Sequence, residues 1–458
     1  MENKMNCGKS KQLKIAYIGG GSRGWAWGLM ADLADARDLS GEVFLYDIDK
    51  EAACNNVIIG NKSGGNFRYR AAETLQEAFI HADFVIISIL PGTFDEMETD
   101  VHAPEKYGIY QSVGDTTGPG GLMRALRTIP MYIEIAEAIR DVCPEAWVIS
   151  YTNPMALCVA TLYRVFPQIK AFGCCHEVFG TQKILCNMIY ESGLAESVTR
   201  QNIDTVPIGI NHFTWITQAR YKNIDLFPYY KKYIENHPTG CECEEEVACL
   251  KYKELVKFDL FNRFGYIASA GDRHLAEFCP GDWYLKDPET VKRWGFGHTP
   301  VSWRKEQLAT RLETSKRMLQ PENPFECKTT DEEGVRLIKA ILGMENIVTN
   351  VNMPNRGQIA NIPKGTVVET NALFSGDSVM PVFSGAVPEN VMSVMGTAVH
   401  NQNVILNAAF LKDSDLAFAA FSSDRLGGRI SLADAKRLFN EMMENTREYL
   451  QGWKTLIL

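Results

Sequence analysis

The sequence predicts an α/β fold in which a doubly wound parallel sheet is followed by a second, α+β domain. Short apolar runs alternate with segments of helical periodicity over the first 195 residues, as in βαβ units. A glycine-rich turn, Gly-Gly-Gly-Ser-Arg-Gly at residues 19–24, joins the first apolar run to the first helical segment. Beyond residue 195, strand-like segments lie among longer helical ones. We therefore expect domains at residues 1–195 and 196–458.

The elements of the first domain follow in a regular order. Residues 25–39 carry Trp25, Leu29 and Leu33 at helical spacing, and residues 129–140 form a second helical segment. Parallel strands joined by such helices favour right-handed crossovers. The predicted strands are residues 14–18, 42–46, 84–90, 147–151 and 169–172. In the second half we expect strands at 206–210 and 367–371, an exposed acidic loop at 237–246 and helices over 415–450.

Composition excludes several classes of protein. The net charge is −9 and no basic stripe is present, which argues against nucleic-acid binding. The longest apolar runs are too short to cross a bilayer, and the first residues lack the apolar core of an export signal. Twelve cysteines in a chain without such a signal indicate reduced thiols and a cytoplasmic location.

The glycine-rich turn fits a dinucleotide fingerprint of the Rossmann type, which makes the first domain an NAD-binding domain. The pattern Gly-x-Gly-x-x-Gly is formed by Gly19, Gly21 and Gly24. It follows a strand and opens a helix, so the helix N-terminus faces a pyrophosphate. Asp47 ends the next strand and favours NAD over NADP by accepting the ribose hydroxyls, although Arg23 or Arg37 weakens that preference. The alternative is a plain turn-forming cluster.

Further ligand contacts are expected where predicted strands end, because ligands bind outside the carboxyl ends of parallel strands. Asn153, in Thr-Asn-Pro at residues 152–154, offers an amide that both donates and accepts hydrogen bonds. Its alternative role is a strand-ending turn. The cofactor contacts that we expect come from Gly19, Gly21, Ser22, Gly24, Asp47, Pro91 and Asn153.

A group of soft metal ligands follows the fifth predicted strand. Adjacent residues of an extended chain point to opposite faces, so Cys175 and His176 are not expected to hold one ion together. His212 is the candidate partner, and a thiolate with an imidazole forms a plausible open metal site. These ligands favour zinc over manganese. The alternative is a buried cysteine and a histidine satisfied within the core.

Two charged segments complete the candidate site. The loop at residues 115–121 places Asp115 where its carboxylate could bind a substrate hydroxyl, and the alternative is a mobile surface loop. Residues 270–278 contain Asp272, Arg273 and His274, which supply a general base and a cation for an anionic substrate. Their alternative role is a helix start with Asp272 as its N-cap. Cys241 and Cys243 lie in the acidic loop and are read as incidental.

Taken together, these motifs resemble glycoside hydrolase family 4, whose members depend on NAD and Mn²⁺. The motifs that carry the resemblance are residues 18–22, 115–121, 124–127, 152–154, 174–176, 211–212 and 361–363, with Glu369. Members of this family are exceptions to the two-carboxylate rule for glycosidases. The resemblance implies the fold of lactate and malate dehydrogenases, with the metal and the substrate bound by the second domain. It also implies a homodimer or homotetramer.

The resemblance also implies roles for individual residues. Cys175 and His212 would hold the metal, and Asn153 and Asp115 would contact the substrate. His176 would donate a proton to the leaving oxygen. The base that removes the C2 proton is open between Asp272 and His274, with Asp272 preferred. The implied reaction oxidises C3 of the sugar with NAD⁺, eliminates the leaving group, adds water and returns the hydride.

Residues 175–178, Cys-His-Glu-Val, resemble the branch of the family that acts on α-linked uronic acids, α-galacturonidases above all. The uronate carboxylate would be bound by Arg273 or Arg356 in a bidentate pair. An α-glucuronidase or α-galactosidase is the alternative within the family. Outside it, the alternatives are an NAD-dependent hydroxy-acid dehydrogenase and a non-enzymatic NAD-sensing protein.

Overall fold

The computed structural model describes residues 12–241 and 250–456. Within these ranges the strands form one mixed sheet with the order β10-β8-β7-β12-β11-β6-β5-β4-β1-β2-β3, while β13 pairs with β12 and β9 with β8. The strands are β1 (Leu13–Ile18), β2 (Gly41–Tyr46), β3 (Phe67–Ala71), β4 (Phe84–Ile87), β5 (Trp147–Ser150), β6 (Lys170–Gly173), β7 (Ile203–Ile210), β8 (Phe213–Tyr221), β9 (Ile224–Asp225), β10 (Ile267–Ala268), β11 (Ile347–Pro354), β12 (Val367–Phe374) and β13 (Val379–Pro381).

The first six strands are parallel in the order β3-β2-β1-β4-β5-β6, which confirms the predicted doubly wound sheet. All five predicted strands of this half are present, although β4 ends at Ile87 rather than at residue 90. Strand β3 was not predicted. It is a short edge strand whose sequence, Phe-Arg-Tyr-Arg-Ala, alternates buried and exposed residues and carries two arginines.

The second half of the chain extends the same sheet with antiparallel strands. The junction is a pairing of Asn352 in β11 with Gly173 in β6. Strands β11, β12, β7 and β8 then follow side by side in antiparallel register. The predicted strands at 206–210 and 367–371 are confirmed and are longer than expected. Because the sheet is continuous, it marks no boundary at residue 195, and the division into two domains stays a prediction.

Helices cover both faces of the sheet. They are α1 (Trp25–Asp35), α2 (Lys50–Gly60), α3 (Leu75–Phe79), α4 (Phe94–His102), α5 (Gly118–Val142), α6 (Met155–Val165), α7 (Glu177–Glu191), α8 (Phe227–Asn236), α9 (Leu255–Phe264), α10 (Asp272–Phe278), α11 (Gly281–Tyr284), α12 (Pro288–Arg293), α13 (Val301–Leu319), α14 (Gly334–Ile341), α15 (Glu389–Leu411), α16 (Ser414–Ser423) and α17 (Leu432–Asn445).

Some predicted helical boundaries were wrong. Helix α1 ends at Asp35, four residues before the predicted end. The glycine-rich loop predicted at 115–121 ends at Thr117, because Gly118 and the following residues already form the first turn of α5. The predicted helical stretch 415–450 is divided between α16 and α17 by a bend at residues 424–431. The loop predicted at 237–246 lies partly outside the described residues.

Alternation along the central strands separates two apolar layers. Ile15 and Tyr17 of β1 pack on one face with α1 and α14, whereas Ala16 and Ile18 pack on the other with α3 and α5. A larger cluster is formed by α5, α10 and α15 to α17 against β7 and β8. No described helix combines the length and apolar character that crossing a membrane would require.

Candidate active site

The glycine-rich turn lies at the carboxyl end of β1 and leads into α1. The backbone N–H of Gly21 donates to Oδ2 of Asp47 at 2.8 Å. A Cβ on Gly21 would stand 2.9 Å from that oxygen and 2.7 Å from the Cβ of Ala52, so only glycine fits there. The other Asp47 oxygen accepts from Asp49 N. The carboxylate predicted to bind ribose is thus fixed in place by the turn itself.

Asn56 of α2 forms hydrogen bonds to the same turn, a role that the sequence analysis missed. Its side chain is 1% exposed and donates to the carbonyl oxygens of Gly20 at 2.7 Å and Ser22 at 3.0 Å. Its own oxygen accepts from Trp27 Nε1 at 2.8 Å. These bonds tie the glycine-rich turn to α2, which contains Asn56. Pro91, another predicted cofactor contact, is buried after β4.

Three ligand-bearing side chains converge at the carboxyl edge of the sheet. Ligand atoms of Asp115, His212 and His274 all lie within 4.8 Å of one another. The two imidazole rings lie 3.8 Å apart between centroids. Thr116 Oγ1 donates to Asp115 at 2.7 Å and lies 2.8 Å from Nδ1 of His212. Asn153 Nδ2 donates to the other Asp115 oxygen at 3.2 Å.

Each member of this group comes from a different element. His212 lies in the two-residue turn that joins β7 to β8, with φ of 63°. Left-handed backbone is costly for a residue other than glycine and is often found at functional positions. His274 is in the first turns of α10, and Asp115 precedes α5. The structure therefore joins three sequence-predicted residues that lie far apart in the chain.

The loop that carries Asp115 is held at both ends by carboxyl groups, of which Glu277 is buried and Asp424 is partly buried. Oε1 of Glu277 accepts from the backbone N–H groups of Val113 at 2.8 Å and Gly114 at 2.9 Å. Oδ2 of Asp424 accepts from Thr117 Oγ1 at 3.1 Å. Burial raises the pKa of Glu277 to about 8 against the opposing effect of the two N–H bonds. These contacts fix the position of Asp115.

The charge state of the group suits a divalent cation. Burial, aided by the neighbouring His274, lowers the pKa of His212 to about 3, and burial also lowers the pKa of His274. Burial opposes ionisation of Asp115, but His274, His212 and Arg124 hold its pKa well below the usual range. Neutral imidazoles and an ionised carboxylate are metal ligands. The buried Nδ1 of His274 and Oδ1 of Asn153 have no hydrogen-bond partner among the described residues, so the residues present fit a metal.

Cys175 lies between β6 and α7, beside Asn211. Burial, with the carboxyl groups of Glu369 and Glu177 nearby, raises the pKa of the Cys175 thiol well above its ordinary value, and the side chain of Asn211 opposes that rise. The sequence analysis pairs this thiol with His212. The compact donor group found in the described ranges contains His212 but not Cys175. The assignment of Cys175 as a ligand therefore stays a prediction.

A buried polar network lies in the sheet beneath Cys175. Oε1 of Glu369 accepts from Asn350 at 3.0 Å and Asn352 at 3.2 Å, and Oε2 accepts from Thr214 at 2.5 Å. Asn350 also donates to the carbonyl oxygen of Cys175 at 3.3 Å. Burial raises the pKa of Glu369 to about 7. Glu369, known from the sequence only as part of a motif, thus supports the backbone at Cys175.

His176, the predicted acid, lies at the outer side of the site. Its side chain is 54% exposed, and Nδ1 lies 2.8 Å from Oε1 of Glu332. Nε2 lies 4.0 Å from Oε1 of Glu177, which is 3.8 Å from Nε2 of His274. The bond to Glu332 raises the pKa of His176 to about 9. The sequence analysis quoted Glu177 as part of the Cys-His-Glu motif but gave it no role.

The two candidate bases occupy different surroundings. His274 belongs to the donor group, whereas Asp272 is fully buried, and its Oδ1 accepts from the backbone N–H of Lys257 at 3.1 Å. Burial, with Glu254 nearby, raises the pKa of Asp272 above its ordinary value. Asp272 is the first residue of α10, and the N-cap position that the sequence analysis considered for it is taken by Gly271. The structure therefore places Asp272 against the start of α9.

The two arginines that are candidates for binding the uronate carboxylate lie in different surroundings. Arg273 is half-buried beside His274, and its guanidinium donates to Thr299 Oγ1. Arg356 is exposed and lies 5.9 Å from the ring centroid of Tyr163, in the second half of α6. Of these two arginines, Arg273 is the one next to a member of the donor group, His274.

Two further arginines of the quoted motif support the site. Arg124 Nε donates to the carbonyl oxygen of Asn153 at 3.0 Å. Arg127 forms a bidentate pair with Asp100, and both side chains are 1% exposed. The peptide bond between Asn153 and Pro154 is cis. The arginine contacts fix the turn after β5 and the start of α5 relative to each other.

Two family models match the chain. The model of family 4 glycosyl hydrolases matches residues 14–191, and the model of their C-terminal domain matches residues 207–427. The alpha-galacturonidase of Thermoanaerobacterium saccharolyticum is 61% identical over 458 residues and covers 98% of both chains. The alpha-galacturonidase of Bacillus subtilis is 51% identical, over 94% of this chain and 97% of its own.

Solved structures share the fold of this chain. A crystal structure of Bacillus subtilis lplD, named as a glucosidase, is 51% identical, with a TM-score of 0.90 over 94% of this chain and 99% of its own. The 6-phospho-beta glucosidase of Thermotoga maritima, solved with manganese, NAD⁺ and glucose-6-phosphate, is 22% identical. Its TM-score is 0.75, over 95% of this chain and 98% of its own.

Proposed function

The chain belongs to glycosyl hydrolase family 4, and on that basis we propose that it is an α-galacturonidase. It is a glycosidase, and the proposed substrate is an α-linked galacturonide. The observation that carries the proposal is the donor group of Asp115, His212 and His274, at the carboxyl edge of the sheet that also bears the glycine-rich turn. Identities of 51–61% to alpha-galacturonidases over nearly the whole chain support this substrate.

We propose that the enzyme uses NAD and Mn²⁺. When bound, they would supply hydride acceptance at C3 of the sugar and stabilisation of negative charge on the neighbouring oxygens. The fingerprint glycines and Asp47 support a dinucleotide at this turn, where tight packing of Gly21 against Asp47 excludes a larger residue. His212, with Asp115 beside it and Cys175 as predicted, would hold the cation. The carboxylate makes the donor set harder than a Cys–His pair and so compatible with manganese.

Among the two candidate bases, the geometry favours His274. Its ring lies beside that of His212 in the donor group, whereas Asp272 is bonded through Oδ1 to the start of α9. His176 would donate a proton to the leaving oxygen through Nε2, since Nδ1 is held by Glu332. Replacing His274 with Gln should abolish exchange of the C2 hydrogen, and Asp272→Asn should retain it. The reverse result would restore Asp272 as the base.

Arg273 is the better candidate for the uronate carboxylate, because it neighbours His274 and lies on the same helix. Replacing Arg273 with Met should raise KM for an aryl α-galacturonide far more than Arg356→Met does. Arg356 contacts Tyr163 instead and serves as the matched control. Equal effects of the two substitutions would contradict this assignment.

The proposed activity is tested with paired aryl α-galacturonide and α-glucuronide substrates, in the presence of NAD⁺, Mn²⁺ and a thiol reductant. We expect hydrolysis of the galacturonide, dependence on both additions, and deuterium at C2 of product made in D₂O. An absence of turnover under these conditions would refute the hydrolase, and stoichiometric NADH formation would instead indicate a hydroxy-acid dehydrogenase.

A second candidate within the family is an α-galactosidase. The alpha-galactosidase of Bacillus subtilis is 26% identical over 96% of this chain, much less than the alpha-galacturonidases. Aryl α-galactoside in the same assay separates the two, since only the uronide carries a carboxylate for Arg273.

We also propose that the enzyme works in the cytoplasm and as a homodimer or homotetramer. The nine described cysteines are all free, which fits a reducing compartment. Light scattering of the purified protein would test the oligomeric state.

A further inference from the structure

A cationic side chain from the second half of the chain lies over the glycine-rich turn. Arg311 is on α13, and its Nη1 lies 3.0 Å from the point that a Cβ on Gly24 would occupy, with Cζ at 3.5 Å. The third glycine of such a fingerprint usually allows close packing between helix and strand. At Gly24 the neighbour is instead a guanidinium, so a side chain at residue 24 would displace Arg311 from the turn.

Arg311 differs from other basic residues of the same helix. Lys305 pairs with Asp95, Lys316 with Glu313, and Arg317 with Glu326. The charges of these three residues are therefore balanced by ion pairs at the surface. For Arg311, by contrast, no hydrogen bond or ion pair is found within residues 12–241 and 250–456, and the residue is exposed.

The backbone around Arg311 is fixed to the nucleotide-binding half. Lys62, just after α2, donates to the carbonyl oxygen of Met318 at 2.7 Å. Thr330 donates through its backbone N–H and its hydroxyl to Asp32 of α1 at 2.7 and 2.6 Å. These contacts hold the end of α13 and the segment after it, Lys305 pairs with Asp95 of α4 on the other side of Arg311, and none of them involves Arg311 itself.

We propose that Arg311 binds the pyrophosphate of the dinucleotide. The inference rests on the proposed function, which supplies NAD as the ligand. The first turn of α1 contains no acidic residue, and its N-terminus favours an anion. A guanidinium above that N-terminus completes a positive site with planar donors that match phosphate oxygens. The second half of the chain then contributes directly to cofactor binding.

The test is NAD⁺ affinity measured by calorimetry without substrate, so that the result does not depend on turnover. Replacing Arg311 with Ala should weaken NAD⁺ binding about tenfold, the lower range for a charge-assisted hydrogen bond at an exposed site. Arg311→Lys should recover much of that affinity. Arg317→Ala, on the same helix, is the matched control and should bind NAD⁺ like the wild type.

Mn²⁺ affinity of the same variants serves as the second measurement and should stay unchanged in Arg311→Ala. Unchanged NAD⁺ affinity in that variant would overturn the inference, as would a parallel loss of Mn²⁺ binding, which would indicate a general structural effect. A wild-type protein that binds no NAD⁺ would refute the proposed function instead, so the two failures are distinguishable.

Discussion

Replacing Glu277 with Gln should remove most of the pH dependence that this buried carboxyl group gives to the free energy of unfolding. Burial raises the pKa of Glu277 from 4.5 to about 8, which favours the protonated carboxyl group at pH 7. A group whose pKa is raised by folding stabilises the protein fully below pH 4.5 and loses that contribution as pH rises to 8. The full difference is about 5 kcal/mol, because each pH unit corresponds to about 1.4 kcal/mol.

The glutamine variant keeps an oxygen to accept from Val113 and Gly114 and has no proton to lose. Its free energy of unfolding should therefore lack this pH dependence, so that the difference from the wild type shifts in favour of the variant by about 1.4 kcal/mol per pH unit between pH 6 and 8. The assay is urea unfolding at several pH values. Glu145→Gln, with a side chain 87% exposed in the wild type, is the control and should follow the wild type.

Parallel pH profiles for the wild type and Glu277→Gln would refute this reasoning. Glu277→Ala tests the second role of the residue, which is to hold the loop that carries Asp115. This variant leaves the N–H groups of Val113 and Gly114 unpaired, at a cost of about 1–3 kcal/mol each. This variant should also lose activity, since Asp115 is no longer held. Full activity in Glu277→Ala would show that the loop does not need this support.

Three other predictions concern the metal, the cofactor turn and the buried ion pair. Cys175→Ser should abolish hydrolysis while NAD⁺ affinity stays within a few-fold of wild type, and unchanged activity would contradict the ligand prediction. Gly21→Ala should weaken NAD⁺ binding in calorimetry, because the new methyl group meets Asp47. Arg127→Met should lower the free energy of unfolding by about 3–5 kcal/mol, since it leaves Asp100 buried and unpaired, and restoration by a second substitution, Asp100→Leu, would confirm the cause.

Much of the first half could be predicted because its signals are local. The apolar runs give the strands, and the turn at residues 19–24 gives the nucleotide-binding edge. The missed strand β3 shows the limit, since two exposed arginines break its apolar pattern at the edge of the sheet. Similarly, Gly118 to Gly121 were read as loop residues, although packing against Asp424 and Gln111 places them in the first turn of α5.

The sequence by itself determined the parallel half of the sheet, the glycine-rich turn and a short set of chemically capable residues, because each is marked by a local pattern of residues in the chain. Only the tertiary structure decided which of these residues meet. It brings His274 to Asp115 and His212, turns Asp272 towards α9, and places Arg311 over Gly24. Such contacts depend on how distant elements pack on one continuous sheet, and the local periodicity of a chain carries no record of that packing.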